Sequence, residues 1–199
     1  CVVMLVGTTF AWFTDTASTG VNKIQSGNLD VKLMYSTDMQ TWKEATDQTK
    51  LFDDNALWEP GYTQVVYLKV VNAGNLALKY EAGFSKNYTS NRGKNVNGDW
   101  YRVDNYLKIG TAETETKFAS REAVWAAIAA TEKTLAKDVM LTNDWVTLKA
   151  REESKPFAVA IYMPTSVGNE ANASRLRPSS VSGLGIEVRA TQATVENDS

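Results

Sequence analysis

Five segments of the sequence alternate apolar and polar residues with a period of two, and this pattern restricts the chain to a mainly β fold. Successive side chains of a strand point to opposite faces of a sheet, so such alternation indicates a strand with one buried face. Sheets of this kind, wet on one side, are usually antiparallel. The five rows of apolar side chains lie within Leu29–Tyr35, Thr63–Asn72, Leu76–Phe84, Phe157–Met163 and Leu184–Ala190.

Turn-forming residues separate these rows. Pro60-Gly61 precedes the second row, and Asn72–Asn75 stands between the second and the third, which predicts a hairpin there. Many short strands joined by such turns favour an antiparallel β-sandwich or jelly roll over a parallel α/β sheet. The 199 residues are enough for a single domain around one core. We therefore expect one jelly-roll-like sandwich over residues 21–199.

One segment has helical periodicity. Ser120 is suited to cap a helix over Arg121–Thr131, and four of its residues share one apolar face: Val124, Trp125, Ile128 and Ala129. With Leu135 extending this face, the sequence predicts a helical insertion over about residues 120–136, lying on one end or face of the sandwich. A second short helical turn near Asn169–Arg175 is left open, so the fold carries one or two inserted helices.

Composition excludes several classes of function. Lys and Arg total 21 against 23 Asp and Glu, a net charge of -2, which argues against a nucleic-acid partner. The chain has no histidine, the commonest transition-metal ligand and the usual general base near neutral pH. The sequence also lacks the Gly-x-Ser-x-Gly and Ser-x-x-Lys motifs of serine nucleophiles. We therefore expect no enzymatic activity and no cofactor.

The first eleven residues form an apolar run that ends in small and hydroxyl residues. Residues 1–11 are typical of the end of a signal peptide with its cleavage zone, and they are too short to span a bilayer. Cleavage after Ala11 would leave a chain beginning at Trp12 and would remove Cys1, the only cysteine. A buried first strand over Val2–Val6 is the alternative. We expect a secreted protein without a stable membrane span.

Four segments resemble the TasA/camelysin family, secreted proteins of Gram-positive bacteria that are released by a dedicated signal peptidase. The most specific is the processing region Thr8–Leu33, with a small-residue cleavage zone, an aromatic residue, an Asp, a polar stretch and a Gly-x-Leu-Asp strand. The other three follow in family order: Trp58–Glu81, Ala158–Glu170 and Val188–Ser199. About residues 85–155 form the divergent middle.

The resemblance implies a jelly-roll-like sandwich in the extracellular matrix or at the cell surface, assembled head to tail into biofilm-matrix fibres. In such fibres the segment after the cleavage site adds as a strand to the next subunit, and here that donor segment is 12–20. The implied interface residues are Trp12, Phe13, Thr14, Asp15, Thr16, Ala17, Ser18 and Thr19. The expected partner is another copy of the chain, with other matrix proteins or cell-wall glycan as further candidates.

Elementary physical chemistry is compatible with this role. A sheet edge presents unpaired N–H and C=O groups, and an added strand gains backbone hydrogen bonds and side-chain pockets. Trp12 and Phe13 can anchor such a strand, whereas its threonines and serine tolerate an exposed face. A head-to-tail contact does not close and so propagates as a filament. A disordered polar N-terminus, or a strand that pairs within its own subunit, remains the alternative.

Three other groups of residues have structural and functional interpretations. Trp58–Gly61 is explained by a Pro-Gly type II turn before a strand. The oxygen-rich set Asp53, Asp54, Asn55 and Glu59 suits Ca²⁺ chemically but lacks EF-hand spacing, so we interpret it as a solvated loop. Six tryptophans and eight tyrosines leave a carbohydrate- or cell-wall-binding module as the main alternative. A camelysin-like metallopeptidase is less favoured, because no histidine is present to bind zinc.

Overall fold

The structure is a computed structural model that describes residues 22–193. The expected signal-peptide remnant 1–11, its alternative strand Val2–Val6 and the donor segment 12–20 lie outside this range. One α-helix, α1 (Arg121–Ile128), and one 3-10 helix (Val103–Tyr106) are present within it. The strands in chain order are β1 (Lys23–Gln25), β2 (Val31–Ser36), β3 (Lys43–Glu44), β4 (Thr63–Asn72), β5 (Leu78–Phe84), β6 (Thr89–Asn91), β7 (Gly93–Lys94), β8 (Trp100–Tyr101), β9 (Lys108–Glu113), β10 (Lys133–Thr134), β11 (Val146–Leu148), β12 (Phe157–Tyr162), β13 (Ser180–Ser182) and β14 (Ile186–Gln192).

Two sheets form the body of the fold. The smaller has four strands in the order β1-β14-β5-β11, and the larger has six in the order β10-β9-β12-β4-β2-β3. Every pairing in them is antiparallel except that of β1 with β14, which is parallel. Two further two-stranded sheets, β13-β6 and β7-β8, lie outside this pair. The expected mainly β, antiparallel sandwich is confirmed.

The core is made by the rows of side chains that the sequence pattern predicts. Leu33, Leu68 and Ile161 of the larger sheet and Phe84 and Ile186 of the smaller one belong to one continuous buried cluster, each at most 1% exposed. β4 has the predicted bounds. β5 begins at Leu78 and not at Leu76, which lies before the strand and is 49% exposed. The two inner faces are therefore packed against each other as a sandwich requires.

The predicted hairpin between the second and third rows is wrong. β4 pairs with β2 and β12 in the larger sheet, and β5 pairs with β14 and β11 in the smaller one. Asn72 lies at the crossing and is 1% exposed. Its amide nitrogen donates to the carbonyl oxygens of Leu76 and Lys149, both at 2.8 Å, and its Oδ1 accepts from the Gly74 N–H at 3.1 Å. These bonds direct the turn across the core and into the other sheet.

The helix lies on the outer face of the larger sheet. Ser120 caps it as predicted, with its Oγ accepting from the Ala123 N–H at 3.2 Å, but the helix ends at Ile128 and not at Thr131. Val124 and Ile128 pack with Ala160 and Tyr162 in a second buried cluster. The central strand β12 is therefore buried on both faces.

Two finer expectations about helical structure are wrong. Leu135 does not extend the helical stripe, because it packs in the main core between the sheets. Lys133–Thr134, within the expected insertion, forms the short strand β10. Asn169–Arg175 contains turns and an isolated bridge at Ala173 in place of a second helical turn. No helix within residues 22–193 is long and apolar enough to cross a membrane.

A polar contact joins the end of the helical insertion to the sheet. The Tyr162 hydroxyl donates to the Glu132 carboxylate, and the Trp125 indole stacks on the Tyr162 ring with centroids 5.1 Å apart. The Trp125 Nε1–H donates to Thr63 Oγ1 at 3.0 Å. Burial of the Tyr162 phenol, and then its bond to Glu132, raise the pKa of this group to about 12.

We predict that Ile128→Ala destabilises the protein by about 2–4 kcal/mol, because it opens a cavity between helix and sheet at a side chain with no exposed surface. Leu76→Ala removes an aliphatic side chain that is 49% exposed and should cost less than about 1 kcal/mol. Urea unfolding followed by tryptophan fluorescence measures both. Equal losses for the two variants would contradict the packing described for α1.

We predict that Tyr162→Phe changes the alkaline stability of the protein. An unfolded tyrosine has a pKa of about 10, and the folded Tyr162 has a pKa of about 12. The stability that Tyr162 contributes is therefore fully present below about pH 10 and is lost as the pH rises through about 12. Urea titrations from pH 7 to pH 12 should show a shallower alkaline decline in the free energy of unfolding for Tyr162→Phe, with parallel curves below pH 9. Parallel curves over the whole range would refute this assignment.

Candidate functional site: the edges of the smaller sheet

The residues expected to form the fibre interface are not described by the structure. Trp12, Phe13, Thr14, Asp15, Thr16, Ala17, Ser18 and Thr19 all precede its first described residue, Asn22. What the structure does define is the point at which the chain joins the sandwich and the sheet edges that a strand can join. These edges are the candidate functional site.

Asn22 fixes the start of the described chain against the sandwich. It is 1% exposed, and its amide nitrogen donates to the carbonyl oxygens of Thr46 and Thr49 at 3.0 and 2.6 Å. Its Oδ1 accepts from the Ile186 N–H at 3.0 Å, at the first residue of β14. The amide nitrogen and the amide oxygen of this buried side chain are thus both hydrogen-bonded, and leaving buried polar groups unpaired would be costly. Three hydrogen bonds therefore hold the chain against the sandwich at Asn22.

That point lies at one edge of the smaller sheet. β1 follows Asn22 directly and pairs in parallel with Glu187–Arg189. β14 continues to Gln192 and is paired along its whole length with β5 on its other side. Among the described residues, no strand covers Ala190–Gln192 on the side of β1. The first edge of this sheet is thus only partly covered.

The opposite edge of the same sheet is uncovered at β11 and has exposed apolar side chains there. β11 pairs with Leu78–Tyr80 of β5 on one side, and no described strand pairs with its other side. The residues before it continue along β5, since Leu141 N–H donates to Ala82 O and Phe84 N–H to Val139 O. Val139–Leu148 therefore runs beside β5, but Met140 O and Leu141 O accept from Lys133 and Thr111 of the larger sheet, so the uncovered strand of this segment is β11. Trp145 and Val146 on this edge are 43% and 37% exposed.

The edges of the larger sheet are better protected against pairing with another chain. One edge is β3, only two residues long, both charged, with Glu44 paired to Lys32 at 3.3 Å. The other is β10, also two residues long, where the Lys133 ammonium donates to Met140 O. Short charged edge strands are a common protection against pairing with another chain. The edge strands of the smaller sheet, β1 and β11, are also short, at three residues each, but β11 is uncharged and uncovered among the described residues, so it is the edge that best suits strand addition.

Trp58–Gly61 is a structural turn, as interpreted from the sequence. The Tyr62 N–H donates to Glu59 O at 2.9 Å, and Gly61 has a φ of 86°, which the third position of a type II turn requires. Trp58 is 7% exposed and packs edge-on against Tyr62, with ring centroids 5.3 Å apart. This segment supports the core.

Both aspartates of the oxygen-rich loop are engaged in protein contacts. Asp54 Oδ1 accepts from the Gly183 N–H at 2.7 Å, and its other oxygen pairs with Lys50 at 3.0 Å. Asp53 Oδ1 accepts from the Asn55 N–H at 2.9 Å. Over residues 22–193, no group of three or more His, Cys, Asp or Glu side chains is placed to hold a metal ion.

Among residues 22–193, no ring contact joins two tryptophans into an aromatic platform of the kind that binds sugars. Trp42 lies beside Lys69, Trp100 beside Arg92 and Lys94, Trp125 beside Arg121, and Trp145 beside Lys79. Trp100 belongs to β8 and Trp125 to α1, Trp42 and Trp145 lie outside the strands and helices, each contacts different cations, and Trp58 is buried.

Comparison with known proteins assigns the chain to no family. No protein-family model matches the chain, and no curated protein matches it. Among solved structures, it is similar to the ASH/PapD-like domain 7 of human CEP192, at 11% identity over 70% of this chain and 78% of that one, with a TM-score of 0.26. It is also similar to a family 123 glycoside hydrolase from Clostridium perfringens, at 12% identity over 69% of this chain and 22% of that one, with a TM-score of 0.23.

We predict that Asn22→Ala loosens the N-terminal edge. The change leaves the Ile186 N–H and the Thr49 carbonyl without their Asn22 partner, whereas the Thr46 carbonyl still accepts from the Thr49 N–H, and this should cost about 1–3 kcal/mol in the free energy of unfolding. Hydrogen exchange at Glu187–Arg189, the partners of β1, should accelerate. Asn169→Ala, at an exposed asparagine, is the matched control and should change neither. Unchanged exchange in Asn22→Ala would show that these bonds do not fix the edge.

Proposed function

We propose that the protein is a structural subunit of an extracellular fibre, assembled head to tail when the segment 12–20 of one subunit adds as a strand to the next. The observation that carries the proposal is the asymmetry of the two sheets. The larger sheet ends in two short strands that carry charges, whereas the smaller sheet has a partly covered edge at β1 and an uncharged, uncovered strand at β11, beside the exposed Trp145.

The N-terminal segment is attached at one of these edges and is long enough to serve as a strand. It leads into Asn22 and β1, at the edge opposite Val139–Leu148. Its nine residues correspond to about 30 Å when extended. The strand on the acceptor side is β11, Val146–Leu148, at the edge of the seven-residue strand β5, so a donor of this length is long enough to cover it.

Chemistry favours Val139–Leu148 as the acceptor. Trp145 and Val146 offer exposed apolar surface to Trp12 and Phe13 of an incoming strand, and burial of such side chains drives association. Because the donor is attached at one edge of the sheet and the acceptor is the opposite edge, the contact is heterologous and can repeat along a filament. The resemblance to the TasA/camelysin family, with its secretion and matrix location, supports the same proposal.

The experiment uses protein whose N-terminus is Trp12. We expect filaments from this chain in negative-stain micrographs and sedimentation, and a folded monomer without filaments after deletion of residues 12–20. Val146→Lys should also abolish filaments, because it places a charge on the acceptor edge. Leu57→Lys, at a side chain that is 69% exposed and lies in no strand, is the matched control and should form filaments.

The two variants separate the parts of the proposal. Filaments from the deletion variant, equal in amount to those of the parent chain, would rule out strand donation by residues 12–20. Loss of filaments on deletion, together with normal filaments from Val146→Lys, would retain donation but exclude Val139–Leu148 as the acceptor. Circular dichroism of each variant confirms that it is folded.

A further inference from the structure

A small hairpin carries a surface rich in cations and exposed apolar side chains. In the pairing of β7 with β8, Lys94 stands opposite Trp100 and Gly93 opposite Tyr101. Gly93, Asn95 and Tyr101 are buried, so the alternating residues point outward. The outward side chains are Arg92, Lys94, Val96, Trp100 and Arg102.

A loop from the C-terminal third of the chain docks against this hairpin. The Lys94 N–H donates to Arg177 O at 2.7 Å, and the Ser174 N–H donates to Lys94 O at 2.9 Å. The approach requires glycine at position 93, where a Cβ would lie 2.0 Å from the Ser179 backbone nitrogen. Arg175, Leu176 and Arg177 are thereby held beside the hairpin. We name the whole the Trp100 surface: the five outward hairpin side chains together with Arg175–Arg177.

The charges of the Trp100 surface are not neutralised by the fold. None of its five cations forms an ion pair with a carboxylate of the described chain, although seven other cations do. Arg92 and Lys94 lie 5.1 and 5.2 Å from the centre of the Trp100 ring, a contact that leaves their positive charge in place. Two acidic residues lie close to these five cations in the chain, the exposed Asp99 before Trp100 and Asp104, which accepts from the Ser90 hydroxyl, so cations remain in excess. The surface is therefore positive in a chain whose net charge is -2.

Its apolar side chains are unusually exposed. Leu176 is 93% exposed between two arginines, and Val96 and Trp100 are each 50% exposed. These three side chains make few contacts within the protein, so they can enter another apolar medium without disturbing the core. Tryptophan is the residue that favours the boundary between lipid and water, with its ring in an apolar layer and its N–H in a polar one.

We propose that the Trp100 surface binds anionic lipid bilayers, with Leu176, Val96 and Trp100 entering the boundary layer and the five cations contacting lipid phosphates. An acidic polysaccharide or a nucleic acid would use the cations and Trp100 but would leave Leu176 and Val96 in water. A lipid surface is the partner that engages both kinds of side chain. The remaining negative charge of the chain would orient the protein with this face toward the membrane. This inference does not depend on fibre formation.

The test measures co-sedimentation of the full chain with vesicles of phosphatidylcholine, with and without phosphatidylglycerol, at limiting lipid. The apolar residues 1–11 are common to all variants, so differences between variants report on the Trp100 surface. We expect Arg175→Gln with Arg177→Gln to weaken binding to the phosphatidylglycerol vesicles by about 25-fold, since each cation contributes about fivefold. Leu176→Ser should weaken it by about tenfold.

Two matched controls accompany these variants. Lys117→Gln with Lys149→Gln removes two exposed cations elsewhere, and Leu57→Ser removes an exposed leucine elsewhere, so both should bind like the parent chain. The difference between the two lipid compositions should shrink as added salt shortens the Debye length from about 10 Å at 0.1 M to about 3 Å at 1 M. Absence of binding, unchanged binding by the surface variants, or tighter binding to alginate or single-stranded DNA than to the vesicles would overturn the proposal.

Discussion

Each long strand of this protein carries one row of apolar side chains that only an opposing sheet can cover, and the rest of the structure depends on that burial. Leu33, Leu68 and Ile161 on one side meet Phe84 and Ile186 on the other within a single cluster. A chain that must build two facing layers has to cross between them. The crossing at Asn72 does so at the cost of burying a polar side chain, whose hydrogen bonds are then all supplied by backbone groups.

Two facing sheets also have four edges, and the protein treats them differently. The helix α1 covers the outer face of the larger sheet, and short charged strands end it on both sides. The edge strands of the smaller sheet are short as well, but β11 in Val139–Leu148 is uncharged and uncovered among the described residues, and it lies opposite the edge formed by Asn22 and β1. This arrangement gives the proposed fibre a direction, because the donor and the acceptor belong to opposite sides of one sheet.

Local patterns in the sequence predicted the elements better than their partners. Period-two alternation located β2, β4, β5, β12 and β14, and Ser120 located the start of the helix. Alternation cannot say which sheet a strand joins, so Asn72–Asn75 was misinterpreted as a hairpin turn. The acceptor edge was not predictable either, since exposure of Trp145 depends on which strand lies beside β11. The Trp100 surface depends on Gly93 meeting Ser179, more than eighty residues away, a contact that leaves no local pattern.

The central claim is that the open edge of the smaller sheet gains a strand when subunits assemble. Hydrogen exchange measured on monomers and on filaments tests it directly, because an added strand would protect backbone N–H groups that face solvent in the monomer. We expect backbone N–H groups at Val139–Leu148 to exchange more slowly in filaments than in monomers, with no change at Lys43–Glu44 on the charged edge of the larger sheet. Identical exchange at Val139–Leu148 in monomers and filaments would contradict it.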